Sequence, residues 1–133
     1  MIEIILKDGK KVDAIAKGQL IKTDQALNSG GEGSAPEPFQ LFLASIGTCA
    51  GVYVKNFCEK RNIPTDNIKI IQTNDFNPEK RLIENITLSI ELPDDFPEKY
   101  KSAVINAANL CAVKRHLIDP PKVETVIKEN SLR

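Results

Sequence analysis

Residues 38–49 read Pro38-Phe39-Gln40-Leu41-Phe42-Leu43-Ala44-Ser45-Ile46-Gly47-Thr48-Cys49. Pro38 suits the first position of a helix, where its missing N–H costs nothing. From there Phe39, Phe42, Leu43, Ile46, Ala50, Tyr53, Val54 and Phe57 recur at spacings of three and four, which is the helical period. The pattern predicts a helix to about Arg61, before Asn62-Ile63-Pro64. Leu41, Val52 and Cys58 put apolar groups on the remaining faces, so the helix is expected to be covered nearly all round. A chain of 133 residues supplies one domain, 1–133, and one core. A second copy of the chain is therefore expected to provide part of the cover.

On the N-terminal side, Ile2–Leu6, Val12–Ala16 and Gln19–Thr23 read as a three-stranded meander turning at Asp8-Gly9 and Lys17-Gly18. Asp24 to Glu37 is a polar, glycine-rich loop. It lacks the Gly-Lys-Ser/Thr of a phosphate cradle and is read as a covering loop. On the C-terminal side, Ile68–Thr73 is expected to be a strand, Asp75–Pro78 a turn, and the alternation Ile86, Leu88, Ile90, Leu92 a half-buried antiparallel strand. Pro93-Asp94-Asp95-Phe96-Pro97 would open a second helix with the apolar stripe Tyr100, Ala103, Val104, Ala107, Leu110. Cys111–Leu117 would form a short helix and Val123–Lys128 a last strand. The class is α+β: antiparallel sheet around a long buried central helix.

Eighteen basic residues balance eighteen acidic ones, which leaves no electrostatic footprint for nucleic acid or an anionic membrane. The stretch Phe39–Val54 is too short and too interrupted by Gln40, Ser45, Gly47 and Thr48 to be expected in a bilayer. Met1–Asp8 does not read as a secretory leader, so a soluble cytoplasmic protein is expected.

The chemistry-bearing residues are three cysteines, Cys49, Cys58 and Cys111. An odd, small number outside a secretory context argues against a structural disulfide framework. Cys58 lies nine residues after Cys49 on one helix, on the opposite face and roughly 13 Å along the axis. That is beyond the reach of a disulfide, so Cys111 is the only intramolecular partner open to Cys49. Cys49 is too far into its helix for the dipole to act on it. A cation from elsewhere would have to activate it, and Lys17, Lys22, Lys114, Arg115 and His116 are the candidates. Cys111 stands where a short helix begins, and there free N–H groups and Lys114/Arg115 favour a thiolate. Cysteines also serve as small buried hydrophobes. Spacing by itself leaves both readings open for Cys49 and Cys111, and favours packing for Cys58. A lone His116 and the lack of any Cys-x-x-Cys or His-x-x-x-His spacing give no metal site, and no cofactor motif is present.

The run Pro38 to Cys49 resembles the central-helix motif of the OsmC/Ohr family, and Leu110-Cys111-Ala112-Val113-Lys114-Arg115-His116-Leu117 resembles its second motif. The order of elements matches over nearly the whole chain. The resemblance implies an intertwined homodimer with sites at the subunit interface. It also implies a thiol peroxidase in which Cys49 is oxidised by a hydroperoxide, Cys111 resolves it to a disulfide, and an external dithiol restores both. The hydroperoxide-resistance branch holds its thiolate with an arginine from the early strands and a glutamate just after the helix-opening proline. Here Phe39 and Gln40 follow Pro38, and the meander has no arginine. Lys17 or Lys22 would supply charge as a point, without arginine's fork, and Glu37 is the carboxylate left to stand in. In this respect the chain is closer to the OsmC-like branch.

Overall fold

The computed structural model describes residues 1–129. Three strands, β1 (Ile2–Leu6), β2 (Val12–Ala16) and β3 (Gln19–Thr23), form an antiparallel meander in that order. Both turns use left-handed backbone: Gly9 has φ 60°, and Lys17 and Gly18 have φ 50° and 76°. Two consecutive positive-φ residues are what a two-residue hairpin turn requires.

The helix α1 runs Pro38–Glu59. Its start is fixed by Gln40, whose Oε1 accepts the Glu37 N–H at 3.2 Å, the reach-back half of a capping box. Its end comes two residues earlier than the periodicity suggests. Asn62 takes φ 55°, Asn62 N–H bonds Glu59 O (3.2 Å) and Ile63 N–H bonds Cys58 O (2.9 Å). That left-handed exit closes the helix, and Pro64 prevents its resumption.

The hairpin β4 (Lys69–Asn77) and β5 (Leu82–Glu91) is longer than expected. Asp75–Asn77, expected in a turn, continue β4 through a register shift at Asp75/Phe76. The turn is moved to 78–81. There Asn77 Oδ1 accepts the N–H groups of Glu79 (2.9 Å) and Lys80 (3.2 Å), and Arg81 has φ 56°. Asp94 and Asp95 precede the next helical segment rather than open it. A 3-10 turn, Glu98–Tyr100, leads into α2 (Lys101–Ala108), followed by α3 (Ala112–Ile118). Leu110, expected in the apolar stripe of α2, is exposed. The expected strand Val123–Lys128 is not formed. These residues carry no regular structure, and Ile127 is 92 % exposed. A strand needs a neighbour with which to exchange hydrogen bonds, and this segment pairs with none of the described residues.

The described residues form two compact units: residues 1–48 with 69–91, and residues 49–68 with 92–129. The first holds both sheets and the opening of α1. Gln72 on β4 donates from Nε2 to Leu43 O at 2.9 Å, tying the hairpin to the helix backbone. The second holds most of the core: Ala50, Val54, Phe57, Cys58, Phe96, Val104, Ala108 and Cys111. Within one chain the cover of α1 is partial. Its buried residues, Ile46, Ala50, Val54, Phe57 and Cys58, form one stripe, while Phe39, Phe42 and Val52 are exposed. One short chain has too few elements to cover more than a stripe. By length and composition alone α1 also suffices to cross a bilayer, contrary to the reading of its interruptions. The stripe packed within the protein is that of a core helix.

The glycine-rich loop is organised by a residue that sequence reasoning passed over. Asp24 is 1 % exposed. Its carboxylate accepts the Ser34 hydroxyl (2.6 Å) and the N–H groups of Gln25 (2.7 Å), Ser34 (3.0 Å) and Glu32 (3.3 Å). The Ser34 hydroxyl first, then these amides, hold the carboxyl down at about 2, against the opposing effect of burial. With a folded-state value below the ordinary 3.8, this group stabilises the protein fully above 3.8 and loses that effect as pH falls toward about 2. Urea midpoints measured from pH 7 to pH 2 are expected to drop through that window. In Asp24→Asn the midpoint should be lower at pH 7 and the acid drop smaller. Parallel curves for the two proteins would show that the carboxylate does not hold the loop.

Candidate active site

Cys49 is the twelfth residue of α1 and is half-buried, next to the fully buried Ala50. Cys111 is fully buried and is the N-cap of α3, with φ −59° and ψ 145°. Extended backbone is what the first-turn N–H groups need in order to reach back to a cap side chain. Here the cap atom is sulfur: Cys111 Sγ accepts the Lys114 N–H at 3.3 Å, and Arg115 N–H bonds Cys111 O at 3.1 Å. The expected start of a short helix at Cys111 is therefore observed. Both thiols belong to the second compact unit, and all three cysteines are free. Cys58 is fully buried, and burial pushes its thiol up, with the Arg61 charge acting weakly the other way. Its position is that of a packing residue.

The supporting residues divide between the units. Lys114 is beside Cys111 through its backbone, while its Nζ is tied to Asn109 Oδ1 at 2.6 Å. Arg115 is exposed on α3. His116 donates from Nδ1 to Ala112 O at 2.6 Å, so that nitrogen is committed to the helix. Lys17 sits at the β2–β3 turn, Lys22 on β3, and Glu37 and Gln40 at the start of α1, all in the first unit. The structure gives Gln40 a capping task. Among the described residues, no three His, Cys, Asp or Glu cluster as metal ligands would.

Two working parts were missed. Arg61 lies over the Phe57 ring at 3.7 Å and donates to Phe57 O at 3.0 Å, and Phe57 meets Tyr100 edge-on at 5.8 Å. A spacing of four on a helix would have flagged the Phe57–Arg61 pair. No sequence signal marks Asp24 and Ser34, ten residues apart in a loop.

A half-buried helix thiol and a thiol capping a following short helix are the arrangement expected from the two sequence motifs. The model of the OsmC-like protein family matches residues 31–126. The chain belongs to the OsmC-like protein family. Solved structures agree on the fold. An OsmC-like protein from Mycoplasma pneumoniae is 16 % identical with a TM-score of 0.71, over 90 % of this chain and 87 % of that one. A hypothetical protein from Aquifex aeolicus VF5 is 20 % identical with a TM-score of 0.64, over 90 % and 87 %. The organic hydroperoxide resistance protein OhrB of Bacillus subtilis is 17 % identical with a TM-score of 0.53, over 86 % and 88 %. No curated protein matches the chain. This OsmC-like chain thus has the family's mixed α+β fold, with antiparallel sheets and a long central helix.

Proposed function

We propose that this OsmC-like protein is a thiol-dependent peroxidase, working as a cytoplasmic homodimer on small hydroperoxides. The observation that carries the reading is the difference between its thiols. Cys49 is partly accessible, Cys111 is buried with a backbone N–H donated to its sulfur, and Cys58 is buried in packing. Kinship with a hydroperoxide resistance protein supports the same chemistry.

In this reaction the Cys49 thiolate attacks the outer peroxide oxygen. The O–O bond breaks, the alkoxide takes up the thiol's proton and leaves as an alcohol, and Cys49 becomes a sulfenic acid. The Cys111 sulfur then attacks the Cys49 sulfur and releases water, forming a Cys49–Cys111 disulfide. An external dithiol reduces the disulfide by two exchange steps. The Lys114 N–H, donated to the Cys111 sulfur at 3.3 Å, holds that sulfur at the start of α3, where it attacks and later leaves. The exposed apolar residues Phe39, Phe42 and Val52 of α1, and Val123, Val126 and Ile127, are surface that a second copy would cover.

The test is a steady-state assay with cumene hydroperoxide and dithiothreitol, with mass spectrometry of the oxidised protein. Continuous turnover and a Cys49–Cys111 disulfide are expected. A second reading, a dimer that binds a small thiol or apolar ligand without turnover, is favoured by the absence of arginine before Arg61. It predicts one stoichiometric oxidation and then no further peroxide loss.

A further inference from the structure

The second compact unit contains a cavity of about 330 Å³ lined by residues 61–64, 67, 93 and 95–97. That is at the small end of small-molecule sites, roughly 300–1,000 Å³. Cys49 lies ten residues before the end of α1, about 15 Å along the axis, and neither Cys49 nor Cys111 lines the cavity. Phe96, 4 % exposed, is its apolar floor, with Pro93, Pro97 and Ile63 around it. Arg61 and Asp95 bring opposite charges to the same hollow, yet neither takes part in an ion pair among the described residues.

The cavity is preorganised. The Arg61 guanidinium lies on Phe57, with Nη1 tied to Phe57 O at 3.0 Å. Arg61 is exposed, and its remaining donors, set in the planar fork that suits a carboxylate, make no bond among the described residues. The left-handed exit at Asn62 fixes one wall. Phe96 N–H to Pro93 O (3.0 Å) and the restricted prolines fix the other. Little ordering is left for a ligand to impose.

We propose that this cavity binds a free amino acid with an apolar or aromatic side chain. Its carboxylate would sit on Arg61, its ammonium on Asp95, and its side chain over Phe96. A simple carboxylate would meet Arg61 but face the like charge of Asp95, and a simple amine would face the reverse. A zwitterion meets an opposite charge at each end. The inference does not rest on the thiol reading, and its test does not use peroxide.

The experiment is an amide-resolved NMR titration of the reduced protein with L-phenylalanine, 3-phenylpropionate and phenethylamine, each to about 10 mM. Saturable shifts at residues 61–63, 67 and 95–96 are expected with L-phenylalanine. The two single-charge analogues should bind at least about tenfold more weakly. Asp95→Asn, on an exposed turn, should lose about tenfold in affinity for L-phenylalanine and keep its spectrum elsewhere. Arg61→Gln should lose as much, although it also removes the ring stacking. No saturable shift at these residues would overturn the proposal. So would 3-phenylpropionate binding as tightly as L-phenylalanine, or full affinity in Asp95→Asn.

Discussion

Cys49→Ser is expected to lower kcat/KM for cumene hydroperoxide about a thousandfold or more while leaving the circular dichroism spectrum unchanged. A serine hydroxyl fits the same half-buried place in α1, but it stays protonated at neutral pH and is a poor nucleophile toward oxygen. Cys111→Ser should behave differently. The first oxidation should proceed, and the sulfenic acid on Cys49 should accumulate and be trapped by dimedone, because no resolving sulfur follows. Cys58→Ser should change stability and leave the chemistry alone, since Cys58 is fully buried. Peroxide consumption by Cys49→Ser at the rate of the unaltered protein would remove the thiol from the reaction.

Gly31→Ala is expected to destabilise the protein by about 3 kcal/mol, a fall in melting temperature on the order of 10 °C. A Cβ on Gly31 would stand 2.8 Å from Gln25 Cα and closer still to its carbonyl. Those atoms are backbone and cannot rotate aside. Gln25 is moreover held twice, by its own N–H on Asp24 and by Gly33 N–H on its carbonyl (3.0 Å). Gly33→Ala is the control. Nothing lies within 4 Å of the added carbon, and only φ 65° resists it, a cost of about 1 kcal/mol. Thermal unfolding of the two variants separates steric overlap from backbone preference. Equal midpoints would mean that the loop does not hold the close approach of Gly31 to Gln25.

Both examples also show what the sequence could reveal. The strands of the meander were legible residue by residue, because alternation and the Asp8-Gly9 and Lys17-Gly18 turns act over a few positions. The helix opening at Pro38 was legible for the same reason. The β4–β5 turn was misplaced because Asp75-Phe76-Asn77-Pro78 carries turn residues. The side chain of Asn77 makes its turn with the residues that follow, so the strand runs on to it. The last strand was misread because alternation reports a tendency to pair, and pairing also needs an edge. The thiols were found as residues, and the N-cap place of Cys111 followed from the short helix after it. Asp24 stayed hidden because its four partners come from three residues, spread over a loop without periodicity. The shared place of Arg61 and Asp95 stayed hidden because only the fold brings them to line one cavity.

Among the described residues every strand pairs with its immediate neighbour along the chain: β1 with β2, β2 with β3, β4 with β5. Ladders closed through short turns incur little loop entropy, and such structures zip up on fast timescales. For the proposed homodimer, the slow event in refolding should then be the encounter of two already formed chains rather than the making of either sheet. That phase would accelerate with protein concentration, whereas the early burst of backbone order would not.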